Sequence, residues 1–346
     1  MPRLPTPSGP SSLPQPVAES LARAGLIVPG HFSATALTGG ISSDIFAVHS
    51  PDRPSFVVKQ ALARLRVRDD WRADTSRNQV EARWLRHVTG IMPENVPAVL
   101  LSDDHAGYFA MEYLAGLRPW KSDLLAGKIS DQVFRQAGHV LGWLHARTWQ
   151  DAQTGQQFAT DHLFRALRVE PYLLATGRRH PALGRLYEAE AGRLMSTKTA
   201  LVHGDYSPKN LLIGADGFVM VDAEVGWYGD PAFDVAFLLT HLHLKALHHH
   251  PALPSESWRD AARLFVAEYS AALQERWNRD LEHRILRLLL MLLLARIDGQ
   301  SPVEYLEDER RKILVRGFVH HHLPRPPASL ADLGTAWVQT LKSSCA

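Results

Sequence analysis

The run Leu201-Val202-His203-Gly204-Asp205-Tyr206-Ser207-Pro208-Lys209-Asn210-Leu211-Leu212-Ile213 holds the residue types best suited to chemistry. An apolar strand delivers an acid, Asp205, to a loop. An amide, Asn210, follows five residues on, and a second apolar strand closes the loop. Transfer of a phosphoryl group asks for both. A carboxylate must orient the attacking hydroxyl and accept its proton, and an oxygen ligand must hold magnesium against the phosphates. A second segment, Phe218-Val219-Met220-Val221-Asp222-Ala223-Glu224, ends a buried strand with an acid, where a hard cation would take an oxygen ligand. A third, Gly229-Asp230-Pro231-Ala232-Phe233-Asp234, carries acids able to anchor the loop from beneath. Singly, each is weak: Asp205 and Asn210 could merely cap a turn, and Gly-Asp-Pro is a common turn. The spacing of the three together carries the reading.

The elements that must position these residues divide in two. Residues 1–28 read as a flexible, Pro- and Ser-rich tail and a short helix. Residues 29–113 are strand-rich. The cluster Thr38-Gly39-Gly40-Ile41-Ser42-Ser43 turns into the alternating run Ile45 to Val48, and Ser55-Phe56-Val57-Val58-Lys59 follows after a hairpin turn over His49 to Pro54. Gln79 to Val88 has helical spacing with Trp84, Leu85 and Val88 on one face. Val96 to Leu101 and Gly107 to Leu114 return to strand character. Residues 114–346 are mainly helical, beginning with an amphipathic helix over Val133 to Trp149. A short strand pattern interrupts at Ala200 to Asp222, turning at Gly214-Ala215-Asp216-Gly217.

The three segments resemble the aminoglycoside phosphotransferase and choline-kinase superfamily, marked by an HGDxxxxN loop, a metal-binding acid and a GDPxxDxA segment. The resemblance covers essentially the whole chain after the tail. It implies an α+β, two-lobed protein-kinase-like fold, with a small antiparallel-sheet N-lobe that binds nucleotide and a larger, mainly helical C-lobe that is catalytic. It also implies ATP as co-substrate, Mg2+, and a small hydroxyl-bearing acceptor. On that resemblance Asp205 is the catalytic acid–base group, and Asn210 and Asp222 hold the metal. Gly39, Gly40, Ser42 and Ser43 are similar to the loop over the nucleotide phosphates, although a plain hairpin turn explains them as well. Lys59 would contact the phosphates and pair with Glu81. Met111-Glu112-Tyr113-Leu114 looks like the hinge, with Glu112 and Leu114 at the adenine.

Within the superfamily the chain has a closer local similarity to methylthioribose kinases. Val58-Lys59-Gln60-Ala61-Leu62 with Arg64, Arg66 and Trp71 shares it, as does Val221-Asp222-Ala223-Glu224 with Trp227-Tyr228-Gly229. Those enzymes carry a second acid two residues after the metal-binding aspartate. Glu224 is therefore either a third metal ligand or a support for the loop. Arg296 and Gly299 stand where those kinases have a basic segment facing substrate, and Asp230 is a further substrate candidate. The chain departs from them in having Asn210 in place of a serine, Pro231 and Asp234 in the broader pattern, and Ala295-Arg296 in place of an arginine pair. These departures leave the acceptor open among a thio-sugar, another sugar, an amino alcohol and an aminoglycoside.

Composition narrows the alternatives. A net charge of +2 over 346 residues gives no electrostatic case for nucleic acid or membrane as partner. A lone cysteine, Cys345, can form neither an internal disulfide nor a cysteine metal site, and suits a reducing, cytoplasmic setting. The apolar block Ile285 to Leu294, broken by Arg287, is too short for a membrane span and reads as a buried helix. The chain is expected as monomer or homodimer. His241, His243, the 248–250 histidines and His320 to His322 read as solvated helix-end residues rather than a metal cluster. Glu309-Arg310-Arg311-Lys312 reads as a solvated helix face. Two rivals remain. A nucleotide-binding pseudokinase scaffold is opposed by the presence of Lys59, Asp205, Asn210 and Asp222. A protein kinase is opposed by His203-Gly204-Asp205 in place of His-Arg-Asp, and by the short spacing from Asp222 to Asp230.

Overall fold

In the computed structural model, which describes residues 12–37, 42–62, 74–215 and 217–344, the alternating run after Ser43 pairs with the next as an antiparallel hairpin. Its strands are β2 (Ser43–Ser50) and β3 (Arg53–Ala61), so the turn is tighter than the sequence suggests. With β1 (Ser33–Ala36), β4 (Val99–Asp103) and β5 (Tyr108–Glu112) they make a five-stranded antiparallel sheet of order β1-β2-β3-β5-β4. Period-two alternation sends Phe46, Val48, Phe56 and Val58 to one face. There they bury against Val17 and Leu21 of helix α1 (Gln15–Arg23). The spacing of Val17 and Leu21, one turn apart, gives α1 its apolar stripe. The short helix therefore belongs to the core of this first unit. Helix α2 (Arg77–Thr89) buries Trp84, Leu85 and Val88, the face its spacing predicts. The first compact unit ends at Gly116.

The second unit starts at Leu117. Its strands are short: β6 (Arg118–Pro119), β7 (Ala200–Val202), β8 (Leu211–Ile213), β9 (Phe218–Met220) and β10 (Trp227–Gly229). They form two small antiparallel sheets, β6-β8-β9 and β10-β7. Before them come α3 (Trp120–Leu125), α4 (Asp131–Arg147), α5 (Ala152–Gln157), α6 (Asp161–Phe164), a π-wound segment (Arg165–Leu174), α7 (Ala175–Arg179) and α8 (Gly184–Ser196). After them come α9 (Ala232–His249), α10 (Ser255–Leu273), α11 (Arg279–Asp298), α12 (Glu309–His322) and α13 (Leu330–Ser343).

Helix α4 starts two residues earlier than the apolar spacing suggests and stops at Arg147. At its end the Thr148 hydroxyl donates to the Leu144 carbonyl at 2.9 Å. It packs tightly on α10. A Cβ at Gly138 would stand 2.2 Å from the Phe265 carbonyl oxygen, so glycine sets that approach. Leu288 to Leu294 of α11 are fully buried, as core leucines should be. No helix among the described residues is long and apolar enough to cross a membrane.

Candidate active site

Strand β7 ends at Val202 and β8 begins at Leu211, so residues 203–210 form one loop whose two ends are held by the two small sheets. Asp234, in the first turn of α9, accepts from the backbone N–H of His203 at 2.7 Å and of Gly204 at 2.9 Å. Its side chain is 0% exposed, and the His145 ring of α4 lies 3.4 Å away. Gly204 has φ +78°, and a Cβ there would stand 2.7 Å from the Val225 carbonyl oxygen. Glycine meets both demands. The His203 ring crosses the loop. Its Nδ1 accepts from the Asp205 N–H at 3.2 Å, so Nε2 carries the proton and donates to the Val221 carbonyl at 3.1 Å. Burial pushes this imidazole below its ordinary pKa, which keeps it neutral and in that tautomer.

Asp205 is buried at the loop's centre. Its Oδ2 lies 3.0 Å from Lys209 Nζ and 3.2 Å from Arg168 Nη2. Burial by itself would raise this carboxyl, but the Lys209 ammonium and the Arg168 guanidinium outweigh it and hold Asp205 below the usual carboxylate range. The group is an ionised carboxylate at neutral pH, as a proton acceptor must be. Arg168 comes from the π-wound segment, an irregular winding that recurs at functional sites. Its Nε donates to the Gly204 carbonyl and its Nη1 to Leu167 at 2.7 Å, so its fork is fixed against the loop. Burial would lower it; the surrounding Asp205, Tyr172, Glu224 and Asp222 raise it.

Asn210 spends its Nδ2 on the Asp205 carbonyl at 3.0 Å. No side chain among the described residues engages its Oδ1, the atom a magnesium ion would take. The Val221 N–H donates to the Asn210 carbonyl at 3.0 Å, which ties the loop to the segment carrying Asp222. Asp222 has φ +66°, the left-handed region, a strain of roughly 1–2 kcal/mol that aspartate tolerates better than most residues. Lys209 Nζ is 4.0 Å from its Oδ2. Glu224 is half-buried two residues on. Among the described residues no three His, Cys, Asp or Glu side chains gather into a metal cage. Magnesium does not require one; it takes one or two carboxylates with waters and substrate phosphates. Asn210 with Asp222, and Glu224 beside them, is a donor set of that kind.

In the first unit, Lys59 of β3 reaches Glu81 of α2 at 2.6 Å, the side chains 3% and 1% exposed. An ion pair so far from water is expensive to desolvate. Ser43 begins β2 with its hydroxyl buried and no hydrogen-bond partner among the described residues. The Ser42 carbonyl accepts from Arg77 Nη2 at 2.5 Å and from the Leu62 N–H at 2.9 Å. Gly39 and Gly40 lie outside the described residues, as do Arg64, Arg66 and Trp71. Glu112 closes β5 with an exposed side chain, which accepts from the Ala98 N–H at 3.4 Å. Leu114, in the segment after it, is half-buried.

Two expectations are revised by the packing. Asp230 is fully buried: Oδ2 takes Arg193 at 2.5 Å and Arg284 at 3.1 Å, and Oδ1 caps α9 at the Ala232 N–H, 3.0 Å. Both of its oxygens are already engaged by the protein, which leaves the carboxylate nothing to offer a substrate. His241 and His243 are interior residues of α9, not solvated ones; burial drives both imidazoles down, His243 to about 4. Two residues beside Asp205, Arg168 and Lys209, were given no role on sequence grounds. Lys209 sits one helical repeat past Asp205, a spacing that could have flagged it. Arg168 lies far upstream with no motif around it. Arg296 donates to Ser301 and, at 3.3 Å, to the Tyr172 hydroxyl.

Comparison with known proteins identifies the chain's family and fold. Residues 33–247 match the phosphotransferase enzyme family. A methylthioribose kinase of Enterobacter sp. (strain 638) is 26% identical over 258 residues, 64% of this chain and 61% of that protein. A methylthioribose kinase of Yersinia pseudotuberculosis is 27% identical over 54% of this chain and 52% of its own length. The chain thus spans between half and two thirds of the curated relatives it matches. Among solved structures, an amicoumacin kinase in complex with AMP-PNP and Ca2+ superposes with TM-score 0.54 at 15% identity, covering 92% of this chain and 96% of that one. Choline kinase from Cryptosporidium parvum gives TM-score 0.50 at 12% identity, covering 95% and 96%. At such identities these two speak for the protein-kinase-like fold alone.

Proposed function

We propose that this chain, which belongs to the phosphotransferase enzyme family, transfers the γ-phosphoryl group of ATP to a hydroxyl of a small molecule. The observation that carries the reading is the Asp205 carboxylate, held ionised by Lys209 and Arg168 on a loop that Asp234 pins at its base. Asp205 accepts the hydrogen bond of the acceptor hydroxyl, aligns it, and takes its proton as the new P–O bond forms. Lys209, between Asp205 and Asp222, is placed to offset charge on the transferring group. Asn210 and Asp222, with Glu224 as a third donor, would hold Mg2+, which when bound neutralises charge on the phosphates. In the first unit, Lys59, braced by Glu81, would hold the nucleotide phosphates, with residues 29–113 as the nucleotide-binding part and 114–346 as the catalytic part. Ser42 and Ser43 would approach the same phosphates, and Glu112 and Leu114 the adenine. The relatives named methylthioribose kinase support a sugar-like acceptor.

Asp205→Asn tests the reading. The amide is isosteric and cannot take the proton. Turnover should fall by at least about a hundredfold, the lower range for a positioned acid–base group, while a magnesium–ATP analogue still binds. Normal turnover in that variant would refute the assignment of Asp205 as the proton acceptor.

A further inference from the structure

Resting on the phosphotransferase reading, we propose that the acceptor carries an anionic group, a carboxylate or a phosphate monoester, that docks between Lys245 of α9 and Arg296 of α11.

The argument begins with charge accounting around the catalytic loop. Arg168 and Lys209 are answered by Asp205. Lys121 is answered by Glu304. Lys245 and Arg296 have no carboxylate partner among the described residues. Lys245 is 1% exposed. Its one hydrogen-bonding contact among the described residues is the Tyr305 hydroxyl at a long 3.5 Å, with the ammonium 4.7 Å from the centre of that ring. Arg296 has a buried Nε–H without an acceptor among the described residues, although its Nη1 is engaged by Ser301 and Tyr172. A buried ammonium with no counter-ion is strongly unfavourable. Burial, with Lys121 and Arg296 nearby, depresses this lysine to about 7 against the opposing pull of the Glu304 carboxylate, which is in contact with Lys121 and so serves three cations. An arriving anion would answer both cations at once, by charge-assisted hydrogen bonds.

The two cations converge on one locus. Both reach the 301–305 segment, Lys245 at the Tyr305 hydroxyl and Arg296 at Ser301. Arg296 also acts on Tyr305, the residue Lys245 touches. The Val303 N–H donates to the Arg296 carbonyl at 2.9 Å and folds the 301–305 segment back over the end of α11. The locus adjoins the chemistry through one aromatic ring. Arg296 lies 5.7 Å from the centre of Tyr172, and Arg168, the partner of Asp205, lies 5.8 Å from it. A small molecule with its hydroxyl at Asp205 can therefore place its anion beyond Tyr172. A polycationic acceptor would meet a surplus of like charge there, since Lys121, Lys245 and Arg296 share the Glu304 carboxylate.

Matched acceptor pairs test this: glycerate against glycerol, gluconate against glucose, and ribose 5-phosphate against ribose, with choline and kanamycin as cationic members. Anionic members should exceed their neutral partners in kcat/KM by at least about tenfold, the scale of one charge-assisted contact. The gluconate and ribose 5-phosphate arms separate carboxylate from phosphate. Lys245→Met and Arg296→Gln should erase the preference mainly through KM. A second readout needs no turnover. With a magnesium–ATP analogue saturating, glycerate and inorganic phosphate should raise the thermal midpoint of the wild-type protein and not that of Lys245→Met. Equal protection of both proteins, protection of neither, or a preference for neutral or cationic acceptors would overturn the proposal. The parent reading fails separately, if the wild-type protein transfers phosphate to none of these acceptors, anionic, neutral or cationic.

Discussion

Asp234 offers the sharpest test of how the catalytic loop is held. Both its oxygens accept backbone N–H groups of that loop, at 2.7 and 2.9 Å, in a site closed to water. Asp234→Ala orphans two buried donors. Each orphan costs about 1–3 kcal/mol, so the variant should lose about 2–6 kcal/mol. That is a large share of the roughly 5–15 kcal/mol that stabilises a typical domain. Asp234→Asn is the informative companion. Its amide retains one accepting oxygen but turns an NH2 group toward the second N–H, so about 1–3 kcal/mol is lost. Both residues served, His203 and Gly204, immediately precede Asp205. Release of the loop should therefore also lower kcat, by up to about a hundredfold for a displacement near 1 Å. Urea unfolding measures the first effect as a lower midpoint at unchanged m-value, and steady-state kinetics the second. An Asp234→Asn protein that unfolds at the wild-type midpoint and turns over normally would refute the reasoning.

Lys59→Met takes the ammonium at 2.6 Å away from the buried Glu81 carboxylate and should destabilise, by up to about 3–5 kcal/mol. Lys59→Met with Glu81→Leu should recover most of that stability in a melting experiment. Gly204→Ala must adopt φ +78° and press its Cβ against the Val225 carbonyl, so a loss of about 2 kcal/mol or more is expected in urea titration. For Lys245, the folded protein releases the proton near pH 7, whereas the unfolded chain keeps it to about 10.4. Between those values the unfolded state binds more protons, so stability from this group rises with pH. Lys245→Met should therefore stabilise the protein at pH 6 by an amount on the order of a few kcal/mol, a gain that shrinks to nothing above about pH 10. Melting curves across that range check the sign.

Much of the scaffold was legible because it depends on local pattern. Alternation before and after Pro51 specifies the β2–β3 hairpin, and the spacing of Trp84, Leu85 and Val88 specifies α2. The loop between β7 and β8 is bounded by apolar triplets, and its acid and amide lie within one short window of sequence. The pairing of Lys59 with Glu81 needed only the order of strand and helix, and the two meet at 2.6 Å. What could not be read depends on tertiary packing. Arg168 reaches Asp205 because a π-wound segment turns it inward, and no periodicity announces such a turn. Asp230 looks available for substrate in a one-dimensional reading; two arginines from distant helices close it off. His241 and His243 suggest helix-end solvent until α9 is seen to be enclosed along most of its length.

The most direct measurement is 31P NMR of the wild-type protein with magnesium-ATP and a mixture of small hydroxyl compounds. Phosphotransfer to a hydroxyl predicts a new phosphomonoester resonance that grows in step with ADP, and that Asp205→Asn abolishes. Release of ADP with inorganic phosphate alone, or phosphate retained on protein, would contradict it.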